Sequence, residues 1–196
     1  MDPRVTELHC IMPIGNVPSV LEHGILSHER AARLRHHSVA MPAVQDLRDG
    51  IIIPRGLRLH QYANLYFHAR NPMLYKRKEE AAGLCVLRVS TEVLGLEGAV
   101  IADADAASRY VRYLAPSQWK VLDFDDIYAT VWNHPENYSR HFQHKSRKCA
   151  EVLVPDRVEP RFLTGAYVVD AQAEALLVGL GFGLPIEIDP VLFLRE

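Results

Sequence analysis

The residues best suited to chemistry lie in one stretch, residues 145–155, which reads Lys-Ser-Arg-Lys-Cys-Ala-Glu-Val-Leu-Val-Pro. Its first half is cationic and its second half is apolar, with Glu151 where the two halves meet. The β-favouring residues after Glu151 are stopped by Pro155, which predicts a short buried strand. A carboxylate at the start of such a strand loses water on one side and faces cations on the other, an environment suited to electrostatic catalysis. The alternative is a structural glutamate that pairs with Arg147 or Lys148.

Length and composition favour one folded domain. The 196 residues are 48% hydrophobic and 23% charged, which argues against disorder and is enough to bury a core. We therefore expect a single domain over residues 1–196. The net charge of -2 demands no polyanionic partner, although residues 76–78 and 140–148 are locally basic.

The cysteines and the apolar segments of the sequence indicate the cellular compartment of the protein. Cys10, Cys85 and Cys149 are odd in number and lack metal-ligand spacing, so we expect reduced cysteines, a cytoplasmic protein and no bound metal. The adjacent His36 and His37 are weak evidence for a metal site, because neighbouring side chains diverge on a helix and alternate on a strand. The first residues lack the apolar run of a signal peptide, and no segment is long enough to span a membrane, so no membrane partner is expected.

The pattern of apolar residues and chain breakers predicts an α+β fold that positions residues 145–155. Strands are expected over residues 5–12, 84–89, 99–102, 152–154, 162–169 and 186–193, with strand or aromatic wall over residues 57–67. Helices are expected over residues 16–23, 27–35, 42–48 and 171–180, the first capped by Asn16 and stopped by Gly24. Helical spacing also resumes after residue 108 and continues through Leu114, and residues 116–144 form a loop-and-helix insert. No Gly-rich phosphate loop opens a helix.

Six stretches occur in an order that resembles one protein family. They are His9; residues 15–27, Gly-Asn-Val-Pro-Ser-Val-Leu-Glu-His-Gly-Ile-Leu-Ser; residues 44–48, Val-Gln-Asp-Leu-Arg; residues 62–75, Tyr-Ala-Asn-Leu-Tyr-Phe-His-Ala-Arg-Asn-Pro-Met-Leu-Tyr; residues 103–108; and residues 149–154, Cys-Ala-Glu-Val-Leu-Val. From about His9 to its C-terminus the chain resembles DarT, the toxin half of the DarT–DarG toxin–antitoxin systems. Members of that family transfer ADP-ribose from NAD+ to a base in single-stranded DNA.

The resemblance implies a compact ADP-ribosyltransferase fold, a split β-sandwich with short helices around an NAD+ cleft. It makes Glu151 the catalytic glutamate and Arg48 the arginine that meets the NAD+ pyrophosphate and assists transfer. His9 falls on the histidine that holds the NAD+ ribose, with one residue more between it and Asn16 than the family pattern has. Asp105 stands where the family has asparagine or histidine and is given no catalytic role. Further NAD+ contacts are expected from Asn16, Tyr62, Tyr66 and Met73.

The residue types suit that reaction. ADP-ribosyl transfer passes through an oxocarbenium-like ribose as nicotinamide leaves, so a carboxylate beside the ribose can stabilise the cation and accept a proton from the attacking base. An arginine fork fits a diphosphate, and tyrosine faces can stack on nicotinamide or on the acceptor base. Each residue also has a structural interpretation: His9 as a core histidine, Arg48 as a helix C-terminal charge, and Tyr62 and Tyr66 as core aromatics.

Contacts to single-stranded DNA are assigned to seven residues: Asn64, Arg70, Lys76, Arg77, Lys145, Arg147 and Lys148. The basic residues among them are also compatible with a solvated surface. Asn64 stands where thymidine-directed members of the family carry proline. Because its side chain both donates and accepts, it suits a guanine edge, and guanosine is expected as the target in preference to thymidine.

Three functions follow. The first is an NAD+-dependent ADP-ribosyltransferase acting on a DNA base, a toxin whose cognate antitoxin, such as a DarG-like macrodomain, removes ADP-ribose. The second has the same chemistry but modifies RNA or protein. The third is an inactive nucleic-acid-binding relative, against which the joint presence of Glu151, Arg48 and His9 argues.

Overall fold

The computed structural model describes residues 2–38 and 42–195, and most of its strands form one mixed sheet. The strands are β1 (Leu8–Pro13), β2 (Ile25–Leu26), β3 (Tyr62–Tyr66), β4 (Leu84–Val89), β5 (Val100–Ala102), β6 (Tyr113–Leu114), β7 (Glu151–Pro155), β8 (Arg157–Val158), β9 (Leu163–Val168) and β10 (Ile186–Ile188). Eight of them lie in the order β10-β9-β4-β1-β3-β7-β5-β6, while β2 and β8 form a separate pair. Within the large sheet, β9 and β10 pair in parallel and the other neighbours are antiparallel.

Short helices surround the sheet. They are α1 (Val17–His23), α2 (His28–Ala31), α3 (Pro42–Arg48), α4 (Pro72–Lys76), α5 (Phe124–Tyr128), α6 (Tyr138–Arg147) and α7 (Ala171–Gly179). Short 3-10 helices cover Ile14–Asn16, Leu59–Gln61, Lys78–Gly83, Thr91–Gly95, Pro116–Val121 and Pro160–Phe162. Five of the α-helices begin after a side chain that accepts a backbone N–H bond and so replaces a missing helical partner: Ser27, Asn71, Asp123, Asn137 and Asp170.

The sequence predictions of fold class and of several elements are confirmed. Mixed strands and helices give the expected α+β class, and β4 and α3 have the predicted bounds. The helix after Asn16 ends before Gly24, whose φ of +87° suits glycine at that position. Asn16 itself does not cap this helix, because its side chain instead donates to the His37 carbonyl at 2.7 Å and accepts from the His37 N–H at 3.0 Å.

Three predicted elements are shorter than expected or of another type. The helix after Ser27 ends at Ala31, because residues 32–38 are exposed and have no apolar face to pack. Residues 109–114 are not helical: β6 pairs with β5, and Asp103 accepts the Arg112 N–H at 2.7 Å. The last strand ends at Ile188, because Pro190 lacks an N–H group and the next residues turn back.

The two faces of β3 and β7 have different surroundings. Ala63, Leu65, Val152 and Val154 point into the main hydrophobic core. The opposite face carries a smaller buried cluster that includes Tyr62 and Leu153 and ends at Glu151. The second face is therefore the one on which polar side chains gather. In the part of the chain that the structure describes, no helix is long and apolar enough to cross a membrane.

Candidate active site

Glu151 is the first residue of β7 and lies in the middle of the large sheet. Its partners in register are Tyr66 on β3 and Ala102 on β5. Residues that face each other across adjacent strands point to the same side of a sheet, so these side chains share one face. Only 1% of Glu151 is exposed. The buried strand predicted to follow the cationic run is confirmed, with the glutamate at its start.

Arg48, the last residue of α3, holds the Glu151 carboxylate with both arms of its guanidinium group. Nη1 donates to Oε1 at 3.1 Å, and Nη2 donates to Oε2 at 3.3 Å. Burial alone would lower the pKa of Arg48, but the charge and the hydrogen bonds of Glu151, together with the electrostatic effects of Tyr66 and Asp105, outweigh this effect and raise that pKa above its ordinary value. Glu151 is therefore paired with Arg48, whereas Arg147 and Lys148 donate hydrogen bonds to other residues.

The loop between β5 and β6 completes the surroundings of Glu151. The backbone N–H of Ala106 donates to Glu151 Oε1 at 3.0 Å. The Tyr113 hydroxyl donates to the Ala106 carbonyl at 2.6 Å and holds the loop in place. In the same loop, the Asp105 carboxylate lies 3.9 Å from Arg48 Nη1. Sequence reasoning missed the Ala106 donor, because a backbone N–H group leaves no trace in residue type.

A cleft of about 450 Å³ opens over this face of the sheet, which is within the size range of small-molecule sites. Its lining includes six residues that the sequence assigned to catalysis or NAD+: Asn16, Arg48, Tyr62, Tyr66, Met73 and Glu151. Burial raises the pKa of the Tyr66 hydroxyl well above its ordinary value, so Tyr66 contributes a neutral aromatic ring to the side of the cleft. His28 and His60 also line the cleft with ring centroids 4.3 Å apart, and no spacing in the sequence signalled this pair.

His9 lies in the same row of the sheet, directly opposite Tyr66, but it is not among the residues that line the cleft. The residue is 7% exposed, Nε2 lies 3.2 Å from Glu7 Oε1, and the buried Nδ1 has no partner within the described residues. Glu7 also accepts from the Tyr167 hydroxyl at 2.7 Å and from Arg88 Nε at 2.6 Å. Burial would raise the pKa of Glu7, but these hydrogen bonds outweigh it and lower the pKa to about 2.

The residues assigned to DNA divide between the cleft and the interior. Asn64, Lys76, Arg77 and Lys145 line the cleft. Asn64 projects on the same face as Tyr62 and Tyr66, because alternate residues of a strand share a face.

The other three DNA assignments need correction. Lys148 is fully buried and donates to the carbonyls of Ile127 at 2.7 Å and Ala129 at 2.9 Å, so it cannot reach DNA. Burial lowers its pKa to about 8. Arg147 donates to Asp126 at 2.8 Å and to Asp123 at 3.2 Å, so its charge is paired with these two carboxylates instead of with DNA phosphates. Arg70 does not line the cleft, and its Nε is buried.

Comparison with known proteins gives concordant results. The family model described as "ssDNA thymidine ADP-ribosyltransferase, DarT" matches residues 9–194. A DNA ADP-ribosyl transferase–DNA ADP-ribosyl glycohydrolase fusion protein of Thermosipho africanus is 32% identical over an alignment of 209 positions, which covers 98% of this chain and 50% of that protein. The chain thus spans about half the length of this relative.

Two solved structures from Thermus sp. 2.9 share the fold. DarT in complex with ADP-ribosylated ssDNA superposes with a TM-score of 0.83 at 21% identity, covering 97% of each chain. DarT in complex with NAD+ superposes with a TM-score of 0.77 at 20% identity, covering 98% of this chain and 99% of the other. The ADP-ribosyltransferase fold that the sequence resemblance implied is therefore confirmed.

Proposed function

The chain belongs to the DarT family, and from this premise we propose that it is an NAD+-dependent ADP-ribosyltransferase that modifies a base in single-stranded DNA. The observation that carries the proposal is the buried Glu151 carboxylate at the floor of the cleft, held by Arg48 and by the Ala106 N–H. This arrangement fixes a negative charge where a ribose cation would form. The NAD+ and DNA complexes of the Thermus relative supply the two substrates of the proposal.

In the proposed reaction, Glu151 stabilises the oxocarbenium-like ribose as nicotinamide departs. Arg48 uses two of its five N–H donors on Glu151, so the remaining donors can meet the pyrophosphate of NAD+. Tyr62 and Tyr66 provide the apolar wall on which a planar ring can stack. His9, which the sequence resemblance assigned to the ribose, lies outside the lining of the cleft and bonds Glu7, so it has no ribose contact in this scheme. No metal ion enters this scheme, since the arginine supplies the cationic group.

Single-stranded DNA is the substrate form that the chemistry favours. A base nitrogen inside a duplex is stacked and often paired, so it cannot reach a ribose at the floor of a cleft. Lys76, Arg77 and Lys145 line the cleft and can neutralise phosphates next to the acceptor base. We therefore place the nucleic acid along this cationic side.

For the acceptor base we propose guanosine. Asn64 lies on the cleft face of β3 and offers both a donor and an acceptor to a guanine edge. The rival is thymidine, which the description of the family model names. Oligonucleotides with a single G or a single T, followed by mass spectrometry of the digested nucleosides, decide between them. ADP-ribosylated thymidine beside untouched guanosine would exclude our assignment.

We further propose that the protein acts as the toxin of a toxin–antitoxin system. The Thermosipho relative joins its transferase to a DNA ADP-ribosyl glycohydrolase, an enzyme named for the reverse reaction. A DarG-like macrodomain that removes ADP-ribose is thus the proposed partner. Expression of the wild-type protein should arrest bacterial growth, and the Glu151→Ala variant should not. If both proteins were equally toxic, the toxicity would not be caused by ADP-ribosyl transfer.

Labelled NAD+ offered with separate pools of single-stranded DNA, RNA and protein tests the whole proposal. We expect label in the DNA pool alone, and Glu151→Ala should lower transfer on the order of a hundredfold or more. Glu97→Ala is the matched control, because Glu97 is an exposed glutamate outside the cleft. Label in the RNA or protein pool would point to the second candidate function, and three unlabelled pools would point to an inactive binder.

A further inference from the structure

The cleft holds a second carboxylate, Asp105, whose position is fixed by its loop. Its backbone N–H donates to the Ser146 carbonyl at 2.9 Å, at the end of α6. The next residue, Ala106, is bonded to Glu151, and the Ala107 N–H donates to Asp105 Oδ1 at 2.9 Å. These bonds hold the Asp105 carboxylate 3.9 Å from Arg48, with 38% of the side chain exposed to the cleft.

The two carboxylates differ in the hydrogen bonds that they accept. Glu151 Oε1 accepts from Arg48 and from Ala106, Oε2 accepts from the second arm of Arg48, and the residue is almost fully buried. Three donors of the protein therefore occupy the two oxygens of Glu151. By contrast, no hydrogen bond to Asp105 Oδ2 occurs within the described residues, and this carboxylate is open to the cleft.

ADP-ribosylation of a base nitrogen releases a proton that needs an acceptor. The attacking nitrogen forms a bond to C1 of the nicotinamide ribose, while the bond from that carbon to nicotinamide breaks and its electron pair leaves with nicotinamide. The attacking nitrogen then carries one proton too many, which must pass to a base within hydrogen-bond reach. The products are the ADP-ribosylated base, nicotinamide and one proton.

We infer that Asp105 is the general base that takes this proton from the acceptor base. The inference rests on the proposed transferase function and adds a residue to it. Its carboxylate lies 3.9 Å from Arg48, and its backbone N–H bonds Ser146 of α6, whose Phe142 and Lys145 line the same cleft. Asp105 is thus next to the proposed site of bond cleavage and is attached to the helix that lines the cationic side of the cleft. Glu151 stabilises the ribose cation, and Asp105 removes the proton.

The variant Asp105→Asn tests these separate roles of Glu151 and Asp105. Asparagine keeps the shape of the side chain and the acceptor for the Ala107 N–H, but it cannot take a proton. Two reactions are measured: transfer to a single-stranded oligonucleotide, and hydrolysis of NAD+ without DNA, in which bulk water takes the proton. Transfer should fall on the order of a hundredfold, and hydrolysis should change by less than about threefold. Asp105→Glu should retain more transfer than Asp105→Asn.

The control is Asp103→Asn, the same change in the same loop, at a residue that pairs with Arg112 and does not line the cleft. It should leave the ratio of transfer to hydrolysis unchanged. The inference would be overturned if Asp105→Asn lost transfer and hydrolysis to the same extent, or if it kept full transfer. It would also be overturned if Asp103→Asn lost as much transfer as Asp105→Asn. A wild-type protein that labels no DNA would instead refute the proposed function. Thermal melting of each variant confirms that it is folded, and the Asp105→Glu comparison keeps the test decisive if Asp105→Asn is unstable.

Discussion

Replacing Glu151 with glutamine should destabilise the protein as well as inactivate it. Glu151 is 1% exposed and the Arg48 side chain 11% exposed, so the change leaves a buried guanidinium group without its main counter-charge. Breaking a buried pair in this way costs about 3–5 kcal/mol. The Asp105 carboxylate at 3.9 Å remains, and the glutamine oxygen can still accept from Ala106. We therefore expect a loss of about 2–3 kcal/mol in the free energy of unfolding.

This loss can be measured by thermal melting and urea titration. At about 2–4 °C per kcal/mol for a domain of this size, the melting temperature should fall by about 4–12 °C. The double variant Arg48→Met, Glu151→Leu removes both charges and should recover stability to within about 1 kcal/mol of the wild type, while transfer stays absent. As a control, Glu80→Gln breaks the more exposed pair with Arg77 and should cost less than about 1 kcal/mol. Wild-type stability of Glu151→Gln, or a double variant no more stable than the single one, would refute the reasoning.

Three other predictions follow from groups around the site. Glu7 has a pKa of about 2 in the folded protein against 4.5 unfolded, so its contribution, up to about 3 kcal/mol, is present above about pH 5 and is lost as the pH falls towards 2. Urea midpoints of Glu7→Gln should therefore vary less over this range than those of the wild type, and parallel curves would contradict this. Lys148→Met leaves the carbonyls of Ile127 and Ala129 without their donor and should lower the free energy of unfolding, measured by urea titration, by about 2–4 kcal/mol; wild-type stability would contradict this. Transfer should be much faster on single-stranded DNA than on duplex, and Lys145→Gln should reduce the slope of log affinity against log salt by about 0.7, whereas the exposed Lys120→Gln should not. Equal rates on both DNA forms would argue against the cleft as the acceptor site.

The sequence predicted those elements whose signals are local. Strand β4 is apolar along its length, and helix α3 lies between Pro42 and a glycine at residue 50 with a φ of +75°, so both bounds were correct. Glu151 and Arg48 were found because their neighbouring residues resemble a family. Their pairing was not predicted, since it joins residues 103 positions apart in the chain.

The failures have physical causes of a different kind. Lys148 belongs to a cationic run, and charge alone suggests a surface, but two carbonyls and the Trp132 ring compensate its burial. Arg147 lies one residue before it and is directed to carboxylates of the insert instead of DNA. The donor from Ala106 and the place of Asp105 depend on the pairing of β6 with β5, and the sequence pattern predicted helix over residues 109–114, where β6 lies.

The order of strands has a consequence for the cell that makes the protein. Strand β7 lies between β3 and β5 in the sheet, although it follows both in the chain. Until the ribosome has released residues 151–155, the growing chain has a gap between these strands and lacks Glu151. Because the gap closes only by long-range pairing, which is a slow step in folding, the catalytic site forms late in synthesis. A nascent or prematurely terminated chain therefore carries Arg48 and Asp105 without the Glu151 carboxylate on which the proposed transfer depends.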